Sequence, residues 1–227
     1  MSIHLRPTAP IAADALLPGD PGRALALAQD LLVKPMMSNH HRGLWGYHGE
    51  TAEGRELTIQ STGIGGPSAA IVLTELAELG VRRAIRVGTC AATGDDLGLG
   101  QIVIVTEAIA ADGASRALGA GARAAPDASL SNALAAQVPT AAAVVVATTD
   151  LFYGREGTAL DHLKLDGAAA VEMETATLFT LGAEIGVGAA CLLTVVAAGG
   201  ERITEERLAD AELEMGRAAG RALAEAC

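Results

Sequence analysis

The residues best placed to do chemistry are a few arginines and a close pair of glutamates. Arg86 stands inside the apolar run AIRV at 84–87, with Thr89 three residues further on. A guanidinium in that setting must find an anionic partner or reach solvent. Glu172 and Glu174 flank Met173 in VEMETATLF at 171–179, where a hydrophobic strand pattern gives way to a helical one. Two carboxylates at a buried transition each need donors. One of them could accept hydrogen bonds from sugar hydroxyls while Met173 packs against the sugar face. The plainer alternatives are a structural ion pair for Arg86 and a capped helix start with solvated acids for the glutamates.

Two glycine-rich loops accompany these residues. PGDPGR at 18–23 is a tight turn followed by a helix start, whose free N–H groups beside Arg23 could receive an anion, or it is simply a turn with a surface arginine. TGIGGPS at 62–68 follows a strand, but it lacks the GxGxxG spacing of dinucleotide sites and the lysine of a phosphate-binding P-loop. Its glycines permit sharp backbone geometry and Pro67 suits an early helical position, so a purely structural turn is the competing reading. Asn39-His40-His41-Arg42 supplies neither a third ligand nor the usual spacing for zinc. HExxH, CxxC and GxSxG are all missing, and no metal site is expected.

The elements that must hold these residues follow from hydrophobic patterning. Strands are predicted at 15–17, 57–59, 84–87, 101–105, 142–147 and 191–196, and helices follow both glycine loops. Helices are also predicted at about 173–185 and 204–225, the last with Thr204 as N-cap and Glu205 and Glu206 in its first turn. The runs at 142–147 and 191–196 are apolar on both faces, as strands covered by helices on each side must be. This pattern predicts an α/β layered domain with its site on the loops that follow the strands. The alanine- and glycine-rich segment 113–128 reads as a loop, because it has little large apolar material to pack.

Composition narrows the class further. The 227 residues are 50% hydrophobic, with no linker-like tract, and fit one domain spanning 1–227. Sixteen basic against 27 acidic side chains give a formal charge of −11, which repels polyanions and argues against nucleic acid as a partner. The longest uncharged stretch, 185–200, is too short for a membrane span, and no signal-peptide core is seen, so a cytoplasmic protein without a membrane partner is expected. Cys90, Cys191 and Cys227 are few and far apart, which fits a reducing compartment.

Taken in order, LLPGDPGRA, the arginine of NHHRG, STGIGGPSAAI, IRVGTCA, DGAS, TTDLFYG and VEMETATL resemble the trimeric or hexameric nucleoside phosphorylases over roughly residues 4–225. That group contains bacterial purine nucleoside phosphorylase and uridine phosphorylase. The resemblance implies an α/β, three-layer phosphorylase-like fold with a mixed central sheet flanked by helices. It also implies phosphorolysis: inorganic phosphate attacks the anomeric carbon of a nucleoside, giving ribose 1-phosphate and free base with no cofactor. Phosphate would lie among Gly19, Arg23, Arg86 and Thr89, with Arg42 from a neighbouring subunit. Ribose would be held by Met173 and Glu174 with the neighbour's His4, and Gly65 would approach the sugar or phosphate through its backbone. Phe152 and Glu172 would border the base. Arg86 and Glu174 would carry the catalysis. Sites shared in this way imply a homo-oligomer built from dimers, commonly a hexamer.

At the base end the chain departs from the family. Val196 and Ala197 stand where purine enzymes carry Ser-Asp, and DHLKLDGAAAVEME is too short for the uracil-reading insertion of uridine phosphorylases. TGIGGPS and DGAS resemble the uridine enzymes more closely, so a uridine-phosphorylase-like activity is expected, with a purine or modified-nucleoside enzyme as the alternative. Glu201 and Arg202 follow the altered strand and either bend back to the base or form a solvated loop. A noncatalytic homologue that binds nucleoside and phosphate is the reading from a different class.

Overall fold

A computed structural model describes residues 2–153, 162, 164 and 166–226. Among them run eleven strands, β1 (Asp14–Leu17), β2 (Val33–Asn39), β3 (Gly46–Glu50), β4 (Glu56–Gln60), β5 (Arg83–Ala92), β6 (Ile102–Ala111), β7 (Arg123–Ala124), β8 (Ala142–Thr149), β9 (Ala170–Glu172), β10 (Gly188–Ala198) and β11 (Glu201–Arg202). The helices are α1 (Pro21–Leu31), α2 (Gly66–Glu78), α3 (Gly113–Ala117), α4 (Ala128–Gln137), α5 (Thr175–Ile185) and α6 (Glu205–Glu225), with a 3₁₀ turn at His41–Gly43. All strands join one mixed sheet. Pairings of β5 with β10, β10 with β6, β6 with β8, β8 with β9 and β9 back to β5 close a ring within it.

Alternation along the strands builds the three layers. In β1, Leu16 faces α1, α4 and α6 through Leu27, Leu130 and Met215, whereas Ala15 and Leu17 face α2 and α5 through Leu73 and Leu178. Of the two strands expected to be covered on both faces, β10 is buried from Ala189 to Val195, whereas β8 has Ala143 exposed and Ala142 and Val145 half-buried. Parallel pairing of β1 with β4 and β5, and of β5 with β10, brings their C-terminal ends to one edge, where the glycine loops emerge.

Both predicted C-terminal helices form. Helix α6 starts after Thr204, whose hydroxyl accepts the Arg207 N–H. The segment 113–128 is not the expected loop. Asp112 caps α3 by accepting the Ser115 N–H at 2.8 Å and the Thr177 hydroxyl at 2.9 Å, β7 pairs with β6, and α4 begins at Ala128 under an Asp127 cap. Capping carboxylates and a strand pairing satisfy this backbone without bulky side chains.

Candidate active site

Arg86 leaves β5 toward the C-terminal edge, and its own strand makes room for it. A Cβ at Gly88 would come 2.8 Å from both the Arg86 Cζ and Nη2, so only glycine two residues on lets the guanidinium lie where it does. Arg86 is 5% exposed and lies between two carboxylates: Nη2 donates to Glu174 Oε2 at 2.5 Å, and Nε stands 3.3 Å from Glu172 Oε2 without hydrogen-bond alignment. The buried Nε and Nη1 have no hydrogen-bond partner, and Nη1 faces Gly19, at 4.0 Å from where a Cβ there would sit. Buried donors left this way are costly, which suits them to an incoming anion.

The glutamates differ in duty. Glu172 at the end of β9 accepts the Thr148 hydroxyl at 2.5 Å, the Glu174 N–H at 2.9 Å and the Thr175 N–H at 3.0 Å. Its carboxylate thereby anchors the start of α5, and its side chain is fully covered beneath Arg86. Glu174 accepts the Gly65 N–H at 2.5 Å through Oε1, which ties the TGIGGPS loop to the VEME segment. Gly65 holds φ at +87° as the residue preceding α2, a conformation that favours glycine. Burial raises the Glu174 pKa above its ordinary value despite the opposing pull of Arg86, and the Glu172 charge adds to the rise. In Arg86, burial opposes the charge but the two glutamates outweigh it, and the pKa is raised.

Arg23 also lines the cleft. Asp20 caps α1 through the Arg23 N–H at 2.8 Å, and the side chain turns back so that Nη1 donates to the Val87 carbonyl at 3.3 Å while Nη2 pairs with Glu212 of α6 at 2.6 Å. Its buried Nε is left without a partner. Gly19, Thr89 and Met173 share the same wall, so seven of the residues expected at the site, these three with Arg23, Arg86, Glu172 and Glu174, converge on one cleft of about 880 Å³. Phe152 lines its outer end, 61% exposed, in edge contact with Tyr153. Gly154, which closes TTDLFYG, lies outside the described residues, as do parts of the DHLKLDG segment and Cys227. Cys90 lines the cleft and Cys191 is buried next to β5; both are free thiols raised in pKa chiefly by burial, Cys191 to about 12.

His4 and Arg42 do not line this cleft. His4 sits against α2, its Nδ1 2.7 Å from Glu75, and the His41 ring bonds the His4 carbonyl at 2.9 Å. Arg42 follows in the 3₁₀ turn, exposed, with φ at +59°. Glu75 accepts the N–H groups of Ile3, His4 and Leu5. Burial works to raise its pKa, but these bonds and the His4 ring hold it down at about 2.

Sequence reasoning missed Gly88, Glu75, Glu212 and Thr148, whose parts depend on contacts between distant segments. The glycine of IRVGT was the one readable signal among them, because a long charged side chain two residues before a glycine in a strand shares its face.

With this geometry in place, comparison with known proteins identifies the class. The Phosphorylase superfamily model matches residues 14–227, and the chain belongs to that family. A DeoD-type purine nucleoside phosphorylase from Alkaliphilus metalliredigens (strain QYMF) is 36% identical over 218 residues, covering 91% of this chain and 93% of its own. One from Bacillus cereus (strain B4264) is 37% identical over 218 residues, covering 91% and 92%. The structure of uridine phosphorylase from Vibrio fischeri ES114, complexed with 6-hydroxy-1-naphthoic acid, superposes with a TM-score of 0.87 at 25% identity, over 95% of this chain and 92% of that one.

Proposed function

We propose that the protein is a nucleoside phosphorylase, a pentosyltransferase that cleaves a nucleoside with inorganic phosphate to ribose 1-phosphate and free base. The observation that carries the reading is the buried Arg86, with an unpartnered Nη1 facing Gly19 and a carboxylate, Glu174, bound to its Nη2. Phosphate takes Arg86 Nη1 and the Arg23 Nε, with Thr89 and the Gly19 loop completing the cradle. Glu174 accepts a ribose hydroxyl and Met173 packs against the ring. As the C–N bond stretches, positive charge grows on the sugar, and the phosphate anion and the two carboxylates stabilise it.

The partner subunit supplies His4 and Arg42. The His41 ring next to Arg42 bonds the His4 carbonyl, and the edge strand β2 leading into that turn exposes Val33, Met36 and Met37, which fits a contact between copies. A dimer is then the smallest complete unit, and three dimers make the hexamer common in the family. No described helix is long and apolar enough to cross a membrane, and we place the enzyme in the cytoplasm.

Relatives named for purine and for uridine both support phosphorolysis, and among the described residues Ala197 stands where the purine base reader is expected. The test is a product screen with uridine, thymidine, inosine, guanosine and adenosine, with and without phosphate. Equimolar base and ribose 1-phosphate, formed only with phosphate, is the expected result. Base release without phosphate makes the protein a nucleosidase; ribose 1-phosphate binding without turnover makes it a binding protein.

A further inference from the structure

The outer end of the cleft contains a feature that phosphate and ribose binding leave unused. Strand β10 runs past β5 with a bulge between Val195 and Ala197, and it then reverses into β11 through Gly199 and Gly200. Both glycines hold positive φ, +58° and +82°, the pair of values a tight two-residue hairpin turn requires. The bulge re-aims the end of β10 and the hairpin folds β11 back over the cleft. In the resulting register Ala197 faces Arg202, and Ala198 faces Glu201. Residues directly opposite in an antiparallel pair project from the same face. The guanidinium of Arg202 therefore rises from the same side as the small Ala197 methyl, and both residues line the cleft.

Arg202 is otherwise unengaged. Among the described residues its side chain has no hydrogen-bond or ion-pair partner, and the guanidinium lies over the Phe152 ring, with Cζ 6.0 Å from the centroid. It is the third guanidinium lining the cleft, after Arg23 and Arg86. Ala197 pairs with Ala91, five residues beyond Arg86 on β5, which puts the hairpin about 16 Å further along the strand at the usual rise. That separation fits one group on the phosphate and the other on the far end of the nucleoside. The walls between them at this end, Val171, Val196, Ala197 and Ala198, donate no side-chain hydrogen bond.

We propose that Arg202 is the catalytic residue at the leaving base: it donates hydrogen bonds to the departing base across the hairpin from Ala197, and it selects nucleosides of 6-oxopurines. The inference deepens the phosphorolysis reading and rests on it. In the step concerned, a phosphate oxygen forms a bond to the anomeric carbon while the C–N bond breaks and its electron pair goes to the base. Negative charge spreads over the purine, chiefly onto N7 and O6, and the planar fork of Arg202 meets that pair of acceptors. Arginine keeps its protons throughout. The base takes its proton from water at the open mouth of the cleft, and the proton that hydrogenphosphate gives up on becoming the sugar ester restores the balance. Adenine presents a donor, its amino group, where the fork offers only donors, so it is disfavoured. Phe152 steadies the fork at the edge of the base through the cation–π contact.

The test compares wild type with Arg202→Met, which keeps the packing on Phe152 and removes every donor, on inosine, adenosine, uridine and 7-methylinosine with phosphate. The base of 7-methylinosine leaves as a neutral molecule and needs no donor. Wild type should favour inosine over adenosine and uridine. The variant should lose roughly ten- to a hundredfold in kcat/KM on inosine, with little change on 7-methylinosine. An Arg202→Gln variant, which keeps an uncharged donor, should show a smaller loss with the same selectivity. Equal losses on inosine and 7-methylinosine, no loss on either, or a wild-type preference for adenosine or uridine would each overturn the proposal. Wild type inert toward every nucleoside would instead defeat the phosphorolysis reading itself.

Discussion

The two ends of the cleft are built on different principles. At the inner end three charged groups are buried and held in place: Arg86 by Glu174, Glu174 by the Gly65 N–H, Glu172 by Thr148 and the first turn of α5. At the outer end the walls are small and apolar, and the charged and aromatic side chains, Arg202 and Phe152, are exposed. On the proposed reading, the inner end is preorganised for charge that does not vary, phosphate and a developing sugar cation. The outer end faces whichever base leaves, and a change of one or two side chains there alters specificity without disturbing the network below.

If the inner end is the engine, damage there should be severe and indifferent to the base. Arg86→Ala should lower kcat/KM for phosphorolysis roughly a thousandfold on every substrate, measured as initial rates over a range of phosphate. Glu174→Gln should cost about a hundredfold. Because the Glu174 pKa is raised, protonation should remove its acceptor role at a pH above the ordinary glutamate value of 4.5; the acid limb of the wild-type rate profile should lie there and vanish in the variant.

Subtler changes sharpen the contrast. Gly88→Ala leaves every charged group in the chain but forces Arg86 aside, so the KM for phosphate should rise about tenfold while the base preference stays the same. A shift in base preference instead would mean that the two ends are not separable. Glu75→Gln should release the N-terminal residues and, if His4 completes a neighbouring site as proposed, lower the rate only a few-fold. Its stability effect has a definite sign. Glu75 has a folded pKa of about 2 against an ordinary 4.5, so its contribution is full above 4.5 and disappears as the pH falls toward 2. The difference in melting temperature between wild type and variant should close over that window.

What the sequence made legible follows the same division. A lone arginine in an apolar strand and two glutamates at a strand-to-helix switch stand out because burial makes them expensive, and the structure brings these very residues together. The covered strand β10 was equally readable from its two apolar faces, while β8, read the same way, leaves Ala143 exposed. Strands β2 and β3 escaped notice because VKPMMSN and GYHGE alternate poorly, one carrying Pro35 at an exposed edge. Helix α4, with ASLSNALAAQ, has too weak a stripe of large residues. The division of labour between Glu172 and Glu174 was invisible, since it depends on Thr148 and Gly65, distant in sequence.

The central claim is that the free N–H groups of Arg86 hold the attacking phosphate. Its most direct test is a crystal structure of the protein with phosphate and a nucleoside analogue bound. The account predicts an anion within hydrogen-bonding distance of Arg86 Nη1, beside Gly19 and Thr89, with a ribose hydroxyl on Glu174. An anion bound elsewhere, with Arg86 still enclosed by its two glutamates, would contradict it.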